Sequence, residues 1–154
     1  MLYLWLKFIH IVSSTILFGT GIGTATTLWF AHKTKDVRII AAATRYVVIA
    51  DWIFTTSSGF FQPLTGFWMV YLAGFSFKFL WLWGSILGYL IAASCWFPVV
   101  FLQIKMKKLS HNALISNTSL PLSYFRCFKI WFCLGWPAFL SLIVVFFLMT
   151  NKPL

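Results

Sequence analysis

IIAAATRYVVIADWIFTTSSGFFQPLTGFWMVYLA, residues 39–73, is an apolar run. It is longer than one straight membrane crossing, which takes about 20 residues. It carries Arg45 and Asp51, and Asp51 is one of only 2 acidic residues in the chain, with Asp36 the other. An ionisable side chain in hydrocarbon is expensive, so Asp51 calls for a partner, a ligand or a transport role. Gly59, Pro63 and Gly66 fall in the second half of the run. Proline removes a helix hydrogen bond, so this spacing predicts a kink or brief unwinding near Gln62. Such a break needs protein or a cavity over the freed carbonyls.

Outward from this run lie three more apolar segments, at about 2–30, 80–102 and 125–149. With 39–73 they predict an all-α polytopic membrane four-helix bundle with a kinked second span, a single transmembrane domain over 1–154. The composition agrees. The 154 residues are 61% hydrophobic and 9% charged, where a soluble domain carries about 25% charged residues. The opening MLYLWLKFIHIV is interrupted by Lys7 and followed by no small-residue cleavage site, so it reads as a retained first span. Gly19, Gly21, Gly23 and Ala25 in the same span predict close helix approach. Pro98 and Pro137 lie inside the third and fourth spans.

The net charge of +10 distributes unevenly. Lys33, Lys35 and Arg38 follow the first span, and Lys105, Lys107, Lys108, Arg126 and Lys129 border the connection after the third. Lys78, between the second and third spans, and Lys152, at the tail, sit on the opposite side. The positive-inside bias puts the basic side in the cytoplasm of a bacterial inner membrane, with both termini outward. The basic residues thus serve orientation, and no nucleic-acid partner is expected. The expected partners are membrane lipids, with a homo-oligomer or a larger membrane complex as the protein context. Tryptophans 5, 68, 81, 83, 131 and 136 fall near the interfaces or slightly deeper, as anchors or as site residues.

Lys7 and His10 share a face in the outward half of the first span. Lys7 either snorkels to the headgroups or joins a site. His10 is the only histidine deep in a span, since His32 and His111 belong to the basic side. A neutral imidazole in a helix bundle suits iron, which makes axial ligation of haem b its sharpest reading and a lone hydrogen-bonded histidine its plain one. A second ligand would come from lysine chemistry such as Lys7, from Met69, from a second protomer, or be absent. Arg45 and Gln62 complete the candidate cofactor residues. Asp51, six residues from Arg45 and on another side of the helix, needs a donor from Lys7, from Arg45 of a neighbouring turn or from an indole N–H. It is either a buried clamp between helices or part of a proton relay or cavity. Thr55, Thr56, Ser57 and Ser58 add a polar run, although hydroxyls can bond back to their own helix. Cys95, Cys127 and Cys133 lack CxxC spacing and read as packing residues. The scattered methionines argue against a copper site.

WLKFIH near the start, TRYVVIADW at 44–52, QPLTG at 62–66, CWFPVVFLQI at 95–104 and LGWPAF at 134–139 resemble a family of small bacterial predicted integral membrane proteins. That resemblance covers nearly the whole chain and implies a multi-pass membrane protein. A more distant resemblance is to the copper resistance protein D superfamily, and through it to the haem-binding, HemJ-type protoporphyrinogen oxidases. It implies that His10 of WLKFIH is an axial haem ligand, with Lys7 beside it. Those oxidases also use a lysine on a later helix, whereas here Lys78 precedes the third span and Lys105 follows it.

Three functions remain open on the sequence. One is a b-type haem membrane protein with a redox role. The second is a proton-coupled transporter or channel subunit, resting on Asp51, Arg45 and the Gln62–Pro63 break. The third is a structural or accessory membrane subunit, for which the 18 Phe and 9 Trp supply lipid-facing and helix-facing surface.

Overall fold

Residues 1–152 are described by a computed structural model. Nearly all of them are helical: α1 (Leu2–Thr34), α2 (Val37–Ala50), a π turn (Asp51–Thr55), α3 (Thr56–Ala73), α4 (Leu80–Ile115) and α5 (Leu122–Asn151). α1, α4 and α5 are each long and apolar enough to cross a membrane. The fourth traversal is α2, the π turn and α3 run together, and it carries the kink expected of the second span. The protein is therefore an integral membrane four-helix bundle.

Local chemistry sets the ends. Lys35, at φ 57°, stops α1, and the Asp36 side chain accepts from Arg38 N–H at 2.8 Å to start α2. Gly74, at φ 64°, stops α3, where a side chain would be strained. α4 runs past the expected end at Leu102 to Ile115, because Lys105, Lys107 and Lys108 are good helix formers and polarity alone does not end a helix. Its 36 residues make a rod about 54 Å long, well beyond a hydrocarbon core of about 30 Å.

The tightest packing lies at the basic end. Leu28 of α1, Ile40 and Val47 of α2, Met106 of α4, and Tyr124 and Phe128 of α5 form one buried cluster there. Thr44 and Ser110 share a 2.9 Å hydrogen bond between α2 and α4 within it. A smaller cluster of Val70, Trp81 and Leu82, packed by Leu148, closes the opposite end. Lys152 adds its Nζ over the rings of Phe75 and Trp81, at 4.8 and 5.6 Å.

Between these clusters the bundle divides into two pairs, α1 with α3 and α4 with α5. Close approach happens at glycines, but not at those the sequence pointed to. A Cβ on Gly88 would lie 2.6 Å from Val145 Cγ2 and 3.3 Å from the Ser141 carbonyl, and one on Gly84 would lie 2.7 Å from Leu148 Cδ1. At Gly19, Gly21 and Gly23 a Cβ would meet nothing within 4 Å, so the expectation of helix approach there is corrected. The reason is steric. Phe18 stacks on Phe139 and meets Phe146 edge-on, with centroids 5.1 and 5.2 Å apart, and these rings hold α5 away from α1.

Candidate functional site

Two polar clusters lie in the interior, one on each side of the divided region. The first ties α1 to α3. His10 Nδ1 is 2.8 Å from Thr65 Oγ1, and Gly66, one residue on, comes within 3.4 Å of His10 Cε1 when given a Cβ. Thr65 donates its single proton back to the Phe61 carbonyl at 2.6 Å. With the Thr65 proton on that carbonyl, the threonine oxygen accepts from His10 Nδ1. That tautomer leaves Nε2 with a free lone pair. His10 is half-buried, and no hydrogen bond is made to Nε2 among the described residues, where that nitrogen keeps some accessible surface. Gln62 completes the cluster by donating Nε2–H to the His10 carbonyl at 2.9 Å and to Ser13 Oγ at 2.5 Å.

The second cluster is built on the π turn. Asp51 is buried, and its Oδ2 accepts from Gln103 Nε2 on α4 at 2.6 Å while Oδ1 accepts from Thr55 Oγ1 at 2.9 Å. The donors expected from the sequence, Lys7, Arg45 or an indole, are thus replaced by a neutral amide and a hydroxyl. Neutral donors stabilise a carboxyl without a second ion to desolvate. The arrangement is a clamp between the second traversal and α4.

The π turn itself moves the irregularity away from where proline implied it. The helix passes through Pro63 inside α3, and the widened turn lies at Asp51–Thr55. There the Thr56 backbone N–H bonds the Asp51 carbonyl five residues back, and the Thr56 hydroxyl adds a bond to the same oxygen at 3.1 Å. Pro63 lacks the N–H that would have bonded Gly59, four residues earlier. The freed Gly59 carbonyl is taken by Tyr89 O–H from α4 at 2.5 Å, so the covering group expected over the break is a tyrosine.

A cavity of about 700 Å³ lies between the two helix pairs. Asp51, Gln103, Tyr89 and the hydroxyl-bearing Thr24, Thr26, Thr55 and Thr56 contribute its polar groups. The rest is apolar, with Trp131, Trp136 and Phe139 among its aromatic walls. Phe60, Phe97 and Trp136 line it and are also exposed on the bundle surface, so its mouth faces the acyl chains.

Of the expected site residues, the structure brings His10 and Gln62 together and leaves two apart. Lys7 is exposed, in keeping with a headgroup-directed side chain. Arg45 is exposed on α2, twenty residues before Thr65 along the second traversal, which is about 30 Å of helix. Among the described residues no three His, Cys, Asp or Glu side chains converge to hold a metal ion. The three cysteines are free. Sequence reasoning missed Gln103 and Tyr89 as partners. Gln103 is legible as a polar residue inside a helix that has not ended, while the Tyr89 contact is tertiary and carries no local signal.

Residues 4–153 match the family model described as Predicted integral membrane protein (DUF2269). No curated protein and no solved structure matches the chain.

Proposed function

The chain belongs to the DUF2269 family of predicted integral membrane proteins, and we propose that it is a b-type haem protein of the membrane, with a redox role and His10 as an axial ligand. One observation supports this reading: His10 holds its Nδ1 on Thr65 and leaves Nε2 without a hydrogen-bond partner. Metal-ligating histidines characteristically donate their other N–H to an oxygen, which fixes the tautomer and the ring plane. The resemblance of WLKFIH to the haem-binding oxidases supports the same residue.

In this assignment His10 ligates, Thr65 orients the imidazole, and Gln62 locks the backbone of α1 at His10 against α3. Exposed Lys7, three residues before His10, suits a propionate. Arg45, on another part of the bundle, is outside this site. Haem, when bound, supplies one-electron chemistry. A second copy related by a two-fold axis would supply a second ligand for the haem, which would make the active form a homodimer. The basic end faces the cytoplasm of a bacterial inner membrane and both termini face outward. A phosphatase that is active only outside the cytoplasm and is fused after Lys152 should then be active, and an inactive fusion would reverse this orientation.

The haem assignment is tested by optical spectra of the detergent-purified protein, oxidised and reduced, after expression with ample haem. A Soret band is expected, and His10→Ala should abolish it. Thr65→Val should keep a band but weaken haem affinity about 10- to 100-fold, the usual cost of losing the group that orients a ligating histidine. Wild-type protein without any chromophore would remove the assignment.

A further inference from the structure

We propose that the cavity between the α1–α3 and α4–α5 pairs binds an amphiphilic organic cation, an ammonium group on an apolar body. Its N–H groups donate to Gln103 Oε1 and its charge lies against Asp51. Gln103 is only 3% exposed, and its Nε2–H is committed to Asp51 Oδ2. Its Oε1 accepts no hydrogen bond among the described residues, yet that atom keeps some accessible surface. Gln103 lines the cavity, and with so little of the residue accessible, that surface opens there. The wall thus presents an acceptor that waits for a donor.

Asp51 sets the charge of that donor. Its carboxyl also lines the cavity, and its partners are an amide and threonine hydroxyls, none of them charged. Donors of this kind suit the ionised carboxylate, and a buried charge calls for an opposite one. No Lys, Arg or His is among the wall residues, so the wall does not supply it. An ammonium answers both groups at once, since it brings N–H donors to Gln103 and a positive charge to Asp51. The surroundings then fix the body of the cation. Trp131, Trp136 and Phe139 offer ring faces, which attract organic cations. A bare inorganic ion would leave most of about 700 Å³ empty. It would also have to shed its water at the exposed rim of Phe60, Phe97 and Trp136. A phosphate headgroup would meet an acid and no base. A cation on an apolar body enters sideways from the bilayer through the same rim.

The test is a calorimetric titration of the full chain in lipid nanodiscs, with empty nanodiscs subtracted. The probes are naphthylmethylammonium and its uncharged counterpart, naphthylmethanol. Saturable binding of the ammonium is expected, with the alcohol at least about tenfold weaker. Asp51→Asn keeps the shape and removes the charge. It should weaken ammonium binding about 10- to 100-fold and leave the alcohol unchanged. Amines also ligate haem iron, so the titration is repeated with His10→Ala. Persistence of ammonium binding there is expected and separates this site from the haem assignment, whereas its loss overturns the proposal. Ammonium that never saturates, or that binds no tighter than the alcohol in the parent protein, overturns it as well, whether or not either variant folds. So does an Asp51→Asn protein that binds the ammonium as the parent does. If sodium ion displaces the ammonium at equal concentration, the site takes an inorganic ion and the organic assignment fails.

Discussion

Gly88→Leu is expected to disrupt the α4–α5 pair and lower the stability of the folded bundle by about 3 kcal/mol, the upper end of what overpacking normally costs. A Cβ at residue 88 would already sit 2.6 Å from Val145 Cγ2 and 3.3 Å from the Ser141 backbone oxygen. Valine in a helix has one strongly preferred rotamer, and a backbone carbonyl cannot step aside, so neither neighbour yields cheaply. Gly84→Leu should cost less, since its obstacle is the far end of the Leu148 side chain. Gly19→Ala makes the control. Nothing lies within 4 Å of its new methyl group, and alanine is favoured over glycine in a helix by up to about 1 kcal/mol. Thermal unfolding in detergent reads all three. Equal loss at 88 and at 19 would show that the α4–α5 approach is not where the packing is tight.

Gln103→Leu should cost about 3 kcal/mol, because it removes the shortest hydrogen bond to Asp51 and leaves a buried carboxyl held by threonine hydroxyls alone. Asp51→Leu in the same protein should recover most of that loss, since replacing both members with apolar groups is often close to neutral. The double-mutant cycle is measured by the same unfolding assay. A Gln103→Leu protein as stable as the parent would mean that Asp51 finds its donors elsewhere.

The membrane architecture was legible because composition and run length act on the whole chain. Sixty-one per cent hydrophobic content and four long apolar segments leave helices as the straightforward way to satisfy the backbone in lipid. The kink of the second traversal was legible as well, yet its location was not. Pro63 is the local signal, but a tyrosine from another helix supplies the bond the proline removes, and α3 continues through it. The π turn instead forms where Asp51, Thr55 and Thr56 satisfy one another, a pattern with no established sequence signature. His10 and Gln62 were legible as candidates because polar side chains are rare in the spans. Their pairing with Thr65 and Ser13 depends on how two helices meet in register, which no single-helix pattern encodes. The glycines mark the same limit. Gly19, Gly21 and Gly23 look like an approach motif, but Phe18 beside them, packed on Phe139 and Phe146 of α5, decides the separation.

A widened turn holds one residue more than the α-helical count, and each residue of an α-helix is worth about 100° of rotation. The azimuth of everything downstream in the second traversal is therefore set by that single surplus residue. Thr65 and Gln62 face α1 only because the offset is present. Shortening Asp51–Thr55 by one residue would swing the whole of α3 through about a quarter turn, carrying the imidazole's partner out toward the lipid while leaving the sequence of both interacting faces untouched.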